Sequence, residues 1–209
     1  MATLTAGQQT AESIRQEAAY LFATRGYGGT SLRDVAARVG IKVGSLYNHI
    51  ASKQELLLSV MGHTMDDLMA EMTEAVAAQD DTIDRLIAFV GHHIRFHAER
   101  AQEVFIGNSE LRSLEDGPRE EIVEKRRAYR IQLEELLTRA GEEGVADVVN
   151  ARLHAYSIVA IGTHVAGWYR PDGAFGIDEI ISTYTKLILR SLAVPDADRR
   201  VDATLGAGS

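Results

Sequence analysis

Between Lys42 and Lys53 the chain sets an ammonium, small residues, hydroxyls, an amide and an imidazole within twelve residues: Lys42, Val43, Gly44, Ser45, Tyr47, Asn48, His49 and Lys53. Such groups hydrogen-bond base edges and phosphate oxygens, and small residues allow a backbone to come close, so the set suits a helix lying in a major groove. A second chemistry is offered by His93 and His97 at i, i+4, beside His92, with His154 and His164 elsewhere. Two such histidines supply half a metal site. With no HExxH and no carboxylate cluster on that face, they are expected as hydrogen-bonded pocket or core residues, and no metal ligand is assigned. Cysteine is absent, which excludes disulfides, thiol nucleophiles and thiolate metal sites. Neither a GxSxG elbow, a phosphate loop nor a glycine fingerprint after a strand occurs, so no catalytic residue and no cofactor is nominated and an enzyme is not expected. The Glu-Glu pairs at 120–121, 134–135 and 142–143 read as solvated helix surface.

Periodicity supplies the elements that position the first set. Ser31 is placed as an N-cap with Asp34 three residues on, close to a capping box. Leu32, Val35, Ala36 and Val39 then recur at helical spacing, and Gly40 suits a left-handed stop. A second helix is expected from Val43 to Ile50 with Leu46 and Ile50 inward, and Ser52 begins a third whose first turn holds Lys53 against a phosphate. Before them, Ala11 to Arg25 carries Ile14, Ala18, Leu21 and Phe22 on one face and ends at Gly26, with Tyr27 expected to pack on the three-helix core.

Beyond the motif the apolar pattern predicts helices over Lys53–Ala78, Ile83–Glu99, Ala101–Leu111, Arg119–Ala140, Val149–Ala166 and Ile177–Leu192. The chain is therefore read as all-α, with about nine helices. Four regions are expected: a flexible N-terminus (1–10), a helix-turn-helix domain (11–57), an effector-binding and dimerisation domain (58–193) and a disordered tail (194–209). The charged stretch from Glu124 to Glu135 reads as a solvated face. Apolar residues around nearly the whole Val149–Ala166 helix imply burial on all sides, including a subunit contact. Phe89, His93, Phe96, Phe105, Asn108, Tyr129, Trp168 and Tyr169 can line an amphipathic cavity, or each can be core. Net charge is −8, unevenly spread: residues 1–57 hold six bases and four acids, so +2 stands against −10 for the remainder. A cationic head on an acidic body fits a DNA reader. No signal peptide and no membrane span is found, and a cytoplasmic location is expected.

The run T-S-L-R-D-V-A-x-x-V-G-I-x-x-G-S-L-Y-x-H-I-x-S-K-x-E-L-L, within Ile14–Val60, resembles the DNA-binding domain of the tetracycline-repressor (TetR) family. It departs from the family at Lys42, usually Ser or Thr, at Val43, commonly polar, and at Ile50-Ala51, usually Phe-Pro or Phe-x. The resemblance implies a homodimeric repressor on palindromic double-stranded operator DNA, paired through its last two long helices. It makes Thr30, Ser31, Arg33, Lys42, Val43, Gly44, Ser45, Tyr47, Asn48, His49 and Lys53 the expected contacts. It further implies a small-molecule effector whose binding in the body releases DNA. NSELRSL at 108–114 and GWYRPDG at 167–173 are similar to members that sense acyl-CoA thioesters, which would set Arg112, Arg126, Arg127 and Arg130 against CoA phosphates. The competing readings are a hydrophobic drug or aromatic metabolite as effector, and, behind these, a metal-responsive regulator or a helical enzyme.

Overall fold

The computed structural model describes residues 5–206, which form ten α-helices, one 3-10 turn and no strand. The chain divides into two compact units, residues 1–65 with 102–125, and residues 66–101 with 126–209.

In the first unit, α1 (Ala6–Arg25), α2 (Leu32–Val39), α3 (Val43–Leu46) and the start of α4 (Lys53–Ala77) carry the motif. Thr5 caps α1 with a reciprocal bond to Gln8, so the helix begins five residues before the expected Ala11 and residues 6–10 are helical instead of frayed; Met1 to Leu4 lie outside the described residues. The second motif helix is shorter than the expected Val43–Ile50. After Leu46 the backbone tightens into i→i−3 bonds, from Asn48 to Ser45 and from His49 to Leu46, before Ile50 returns to Leu46. Helix ends commonly close this way. The core joins Ile14, Leu21, Phe22, Val35, Leu46, Ile50, Leu56 and Leu57 to Ile106, Leu114 and Ile122. The last three come from α6 (Ala101–Ser109), the residue that closes the 3-10 turn Leu111–Ser113, and α7 (Asp116–Glu142). The helix-turn-helix unit is thus not the expected 11–57 alone: three apolar residues some fifty positions downstream complete its core. That segment adds seven acids and three bases, which turns the local balance of the unit from +2 to −2.

In the second unit, α5 (Thr82–Glu99) is central, packed on α8 (Ala151–Trp168), α9 (Ile177–Ser191) and α10 (Ala197–Gly206). Asp81 caps α5 by accepting from the Ile83 and Asp84 amides, and Asn150 caps α8. α10 occupies most of the expected disordered tail, of which residues 207–209 lie outside the described residues. Val201 is fully buried, Leu205 reaches Gly91, and the Arg200 guanidinium grips the Asp81 carboxylate at 3.0 and 3.2 Å. A polar, glycine-rich composition concealed this helix because two apolar residues and ion pairs hold it. α8 is buried only along Ala155, Ile158, Gly162 and Val165, while Leu153, Tyr156, Ile161 and Trp168 are exposed. No described helix is long and apolar enough to cross a membrane.

Candidate nucleic-acid interface

Ser31 forms the complete capping box: its hydroxyl accepts from the Asp34 amide while Asp34 accepts the Ser31 N–H at 2.8 Å. These bonds hold the exposed Asp34 carboxyl below its ordinary pKa. Gly40 closes α2 with φ of 78°, where a side chain would be strained. Leu46 is fully buried, which fixes the rotation of α3 and leaves Lys42, Gly44, Ser45, Tyr47 and Asn48 exposed. A Cβ on Gly44 would meet nothing within 4 Å, so this glycine leaves open surface for a close approach. Arg33 is exposed and His49 half-buried.

Besides Ser31, three further expected contacts carry structural duties. Thr30 is buried, its hydroxyl shared between the carbonyls of Leu21 at 3.2 Å and Gly26 at 3.0 Å, so its side chain ties the α1–α2 turn. Val43 is half-buried against the core. The Lys53 ammonium donates to the Tyr27 carbonyl and lies 4.0 Å over the Tyr27 ring, which itself packs on Phe22. Burial there lowers the pKa of Lys53, and Glu110 opposes that shift.

The effector candidates fall into both units. Phe105, Asn108 and Arg112 belong to the first, and all three are exposed. Phe89, His93, Phe96, Arg126, Tyr129, Arg130, Trp168 and Tyr169 belong to the second. Among these, Phe89, His93 and Tyr129 are brought together at 5.2–6.5 Å between rings. His93 Nε2 lies 3.1 Å from the Val159 carbonyl and must donate to it, so Nδ1 accepts the Tyr129 hydroxyl at 2.7 Å. The neutral tautomer is set by its partners. His97 donates Nδ1–H to the His93 carbonyl at 2.7 Å. Phe96 is buried beside it, while Trp168 is exposed and Tyr169 half-buried at the end of α8. Arg126 is half-buried, with its pKa lowered by burial. Arg130 and Glu134 correct the expected solvated face: both are largely buried, paired with each other, and the guanidinium lies 4.7 Å over the Tyr156 ring. Stacking and pairing offset the cost of burying these charges. Among the described residues, no group of three His, Cys, Asp or Glu is placed to hold a metal ion.

One decisive residue lies outside the expected set. Gly162 of α8 faces His93, and a Cβ there would fall 2.2 Å from His93 Cδ2. The only signal in the sequence is a glycine inside a helix, where it costs about 1 kcal/mol relative to alanine and so asks for a packing reason.

Burial gives the histidines a measurable titration. It pushes His97 down to about 4 and His93 well below 6.5, with the neighbouring imidazoles adding to both, and Arg126 to His97. His92 is lowered too, because burial outweighs the Glu71 carboxylate 3.8 Å away. Tyr129 is pushed up by burial and stays protonated. The folded state therefore resists protonation that the unfolded chain accepts below about pH 6.5, so stability is full above that pH and falls on acidification toward pH 4. Thermal melts from pH 7.5 to 4.5 should show this fall, worth roughly 3 kcal/mol for His97 alone by pH 4. His97→Gln should flatten the curve; an unchanged slope would mean that other groups set it.

Comparison with known proteins agrees with this architecture. Residues 14–60 match the model for bacterial regulatory proteins of the tetR family, and residues 79–192 the tetracyclin repressor-like C-terminal domain. The chain is 31% identical over 188 residues to the HTH-type transcriptional repressor KstR2 of Rhodococcus jostii, spanning 85% of this chain and 88% of that one. It is 27% identical to KstR2 of Mycolicibacterium smegmatis over 195 residues, 90% and 93% of the two chains. Among solved structures, AibR in complex with isovaleryl coenzyme A and operator DNA superposes with a TM-score of 0.79 at 27% identity, covering 86% of this chain and 98% of AibR. The ketosteroid transcriptional regulator KstR2 of Mycobacterium tuberculosis gives 0.77 at 26% identity, over 87% and 94%. With a capped helix-turn-helix at its N-terminal end and a helical body behind it, the chain belongs to the TetR family of DNA-binding transcriptional repressors and is not an enzyme.

Proposed function

We propose that this repressor acts in the cytoplasm as a homodimer on a palindromic operator, and that a CoA thioester bound by its body releases the DNA. The observation that carries the effector is the likeness to AibR, crystallised with isovaleryl coenzyme A and operator DNA, together with the inward-facing set of Phe89, His93, Phe96 and Tyr129. Aromatic rings with a few fixed hydrogen-bonding groups suit an acyl chain with polar carbonyls. Arg126, half-buried on the same helix as Tyr129, is the residue of this unit assigned to a CoA phosphate, by the match of a guanidinium to phosphate geometry. The homodimer is supported by the outward face of α8, where Leu153, Tyr156, Ile161 and Trp168 recur at helical spacing, with exposed Leu187 on α9. A solvated helix has no reason to carry such a stripe. Two heads then set two α3 helices on successive major grooves, and Lys42, Ser45, Tyr47, Asn48 and His49 read base edges and phosphates. α4 contributes residues to both units, so a ligand-dependent shift of its C-terminal half would alter its first turn. Such a ligand acts only through tighter binding to the DNA-free form.

The experiment is a thermal-shift and DNA-release screen of short- and long-chain acyl-CoA thioesters, free CoA, steroid-derived CoA thioesters, hydrophobic drugs and divalent metals. A matching thioester at a hundred times its dissociation constant should stabilise the protein by about 2.7 kcal/mol and dissociate DNA over the same concentration range. Stabilisation by drugs or metals alone, with every thioester silent, would refute the CoA assignment.

A further inference from the structure

Within the first unit, the segment returning through α6 meets the α1–α2 turn at one charged residue. Glu110, just after α6, accepts the Tyr27 backbone N–H on Oε1 at 3.1 Å and the Ser113 hydroxyl on Oε2 at 2.7 Å. Tyr27 in turn holds Lys53 from two sides, with its carbonyl on the ammonium and its ring 4.0 Å beneath it. A second pair of bonds fixes the same corner: Gln54 donates to the Ser113 carbonyl at 2.8 Å and accepts the Glu115 N–H at 3.1 Å. The two residues that begin α4 are therefore both set by the α6–α7 connection, about sixty positions downstream.

We propose that Glu110 is a positioning residue for DNA binding: by holding the Tyr27 backbone N–H it fixes the residue whose carbonyl and ring aim the Lys53 ammonium at the phosphate backbone. The proposal rests on the reading of Lys53 as a phosphate contact. An ammonium has three donors, and one spent on the Tyr27 carbonyl leaves two for phosphate oxygens. A lysine stem carries large rotamer freedom, so a contact made by an already anchored lysine loses less entropy on binding than one made by a free lysine. The anchor is only as firm as the Tyr27 backbone, whose carbonyl also accepts the Thr30 N–H at 3.2 Å and whose own N–H, in the preceding peptide, is held by Glu110. Glu110 supplies that bond from an element distant in sequence, and the carboxylate also favours the charged ammonium near it.

The test is fluorescence anisotropy on the duplex upstream of the protein's own gene, across a salt series, for wild type, K53A, E110Q, E110D and K53A/E110D. K53A should weaken binding and reduce the salt slope by about one per chain. E110D keeps the charge but falls a methylene short of the Tyr27 N–H, so it should lose about fivefold in affinity with the same drop in slope. E110Q keeps the acceptor and should stay within about twofold of wild type. In the K53A background E110D should add less than about twofold. The slope reports charges at the phosphates and is unmoved by a fractional loss of folded protein, so it stays decisive even if E110D lowers the melting temperature. Wild-type affinity or slope in E110D, a loss in E110Q equal to that in E110D, or additive losses in the double variant would each overturn the assignment. Wild-type behaviour of K53A would instead remove the phosphate contact on which it rests.

Discussion

Tyr47→Ala should lower affinity for operator DNA by roughly 30- to 100-fold while leaving the melting temperature within about 2 °C of wild type. The two parts follow from different bonds. Tyr47 closes α3 through its backbone N–H, which turns back on the Val43 and Ser45 carbonyls and survives the substitution. Its side chain is 54% exposed and absent from the core that holds Leu46 and Ile50, so truncation opens no cavity. Exposed substitutions of this type usually change stability by no more than about 0.5 kcal/mol. On DNA the ring and hydroxyl would lie against one strand, and a lost contact of about 1 to 1.5 kcal/mol counts twice when two heads engage one palindrome. Electrophoretic mobility shift and circular-dichroism melts on the same preparations check both halves. Unaltered affinity would place the contact surface elsewhere; a large fall in melting temperature would make Tyr47 a packing residue.

Gly162→Ala should destabilise the body by about 2 to 3 kcal/mol, seen as a loss of about 5 to 10 °C in melting temperature, although alanine is the better helix former. The new methyl carbon would fall 2.2 Å from His93 Cδ2 and 2.8 Å from Nε2. That ring cannot swing aside cheaply, because Tyr129 holds Nδ1 and the Val159 carbonyl holds Nε2. Either the ring leaves, with loss of two buried hydrogen bonds, or α8 moves off α5 and opens the packing around Ile158 and Val165. Helix propensity returns only about 1 kcal/mol. The diagnostic is rescue: His93→Ala removes the clash, so the double variant should be markedly more stable than the sum of the two losses predicts. Additive losses would show that Gly162 serves some other need. If the Phe89–His93–Tyr129 set binds effector, Gly162→Ala should also blunt DNA release at temperatures where the protein remains folded.

Much of the head was legible because its signals are local. A capping residue, a left-handed glycine and apolar positions at i, i+3 and i+4 act within one turn of helix, and Ser31, Gly40, Leu46 and Ile50 stand where those rules put them. The same rules set the long helices of the body to within a few residues. What they missed is non-local. Composition marked residues 194–209 as a tail, yet Val201 and the Arg200–Asp81 pair dock α10 onto α5 across more than a hundred residues. Charge marked Arg130 as solvated, and Tyr156, on another helix, covers it.

By itself, then, the sequence determined the class of element, the place of the helix-turn-helix and the family, since each rests on hydrogen bonds and periodicity between residues close in the chain. Only the tertiary structure decided that Glu110 holds Tyr27 under Lys53, that Gly162 makes room for His93, and that Ile106, Leu114 and Ile122 complete the core of the head. Each of those joins residues roughly fifty or more positions apart, and its existence depends on how helices pack and leaves no periodic trace in either partner alone.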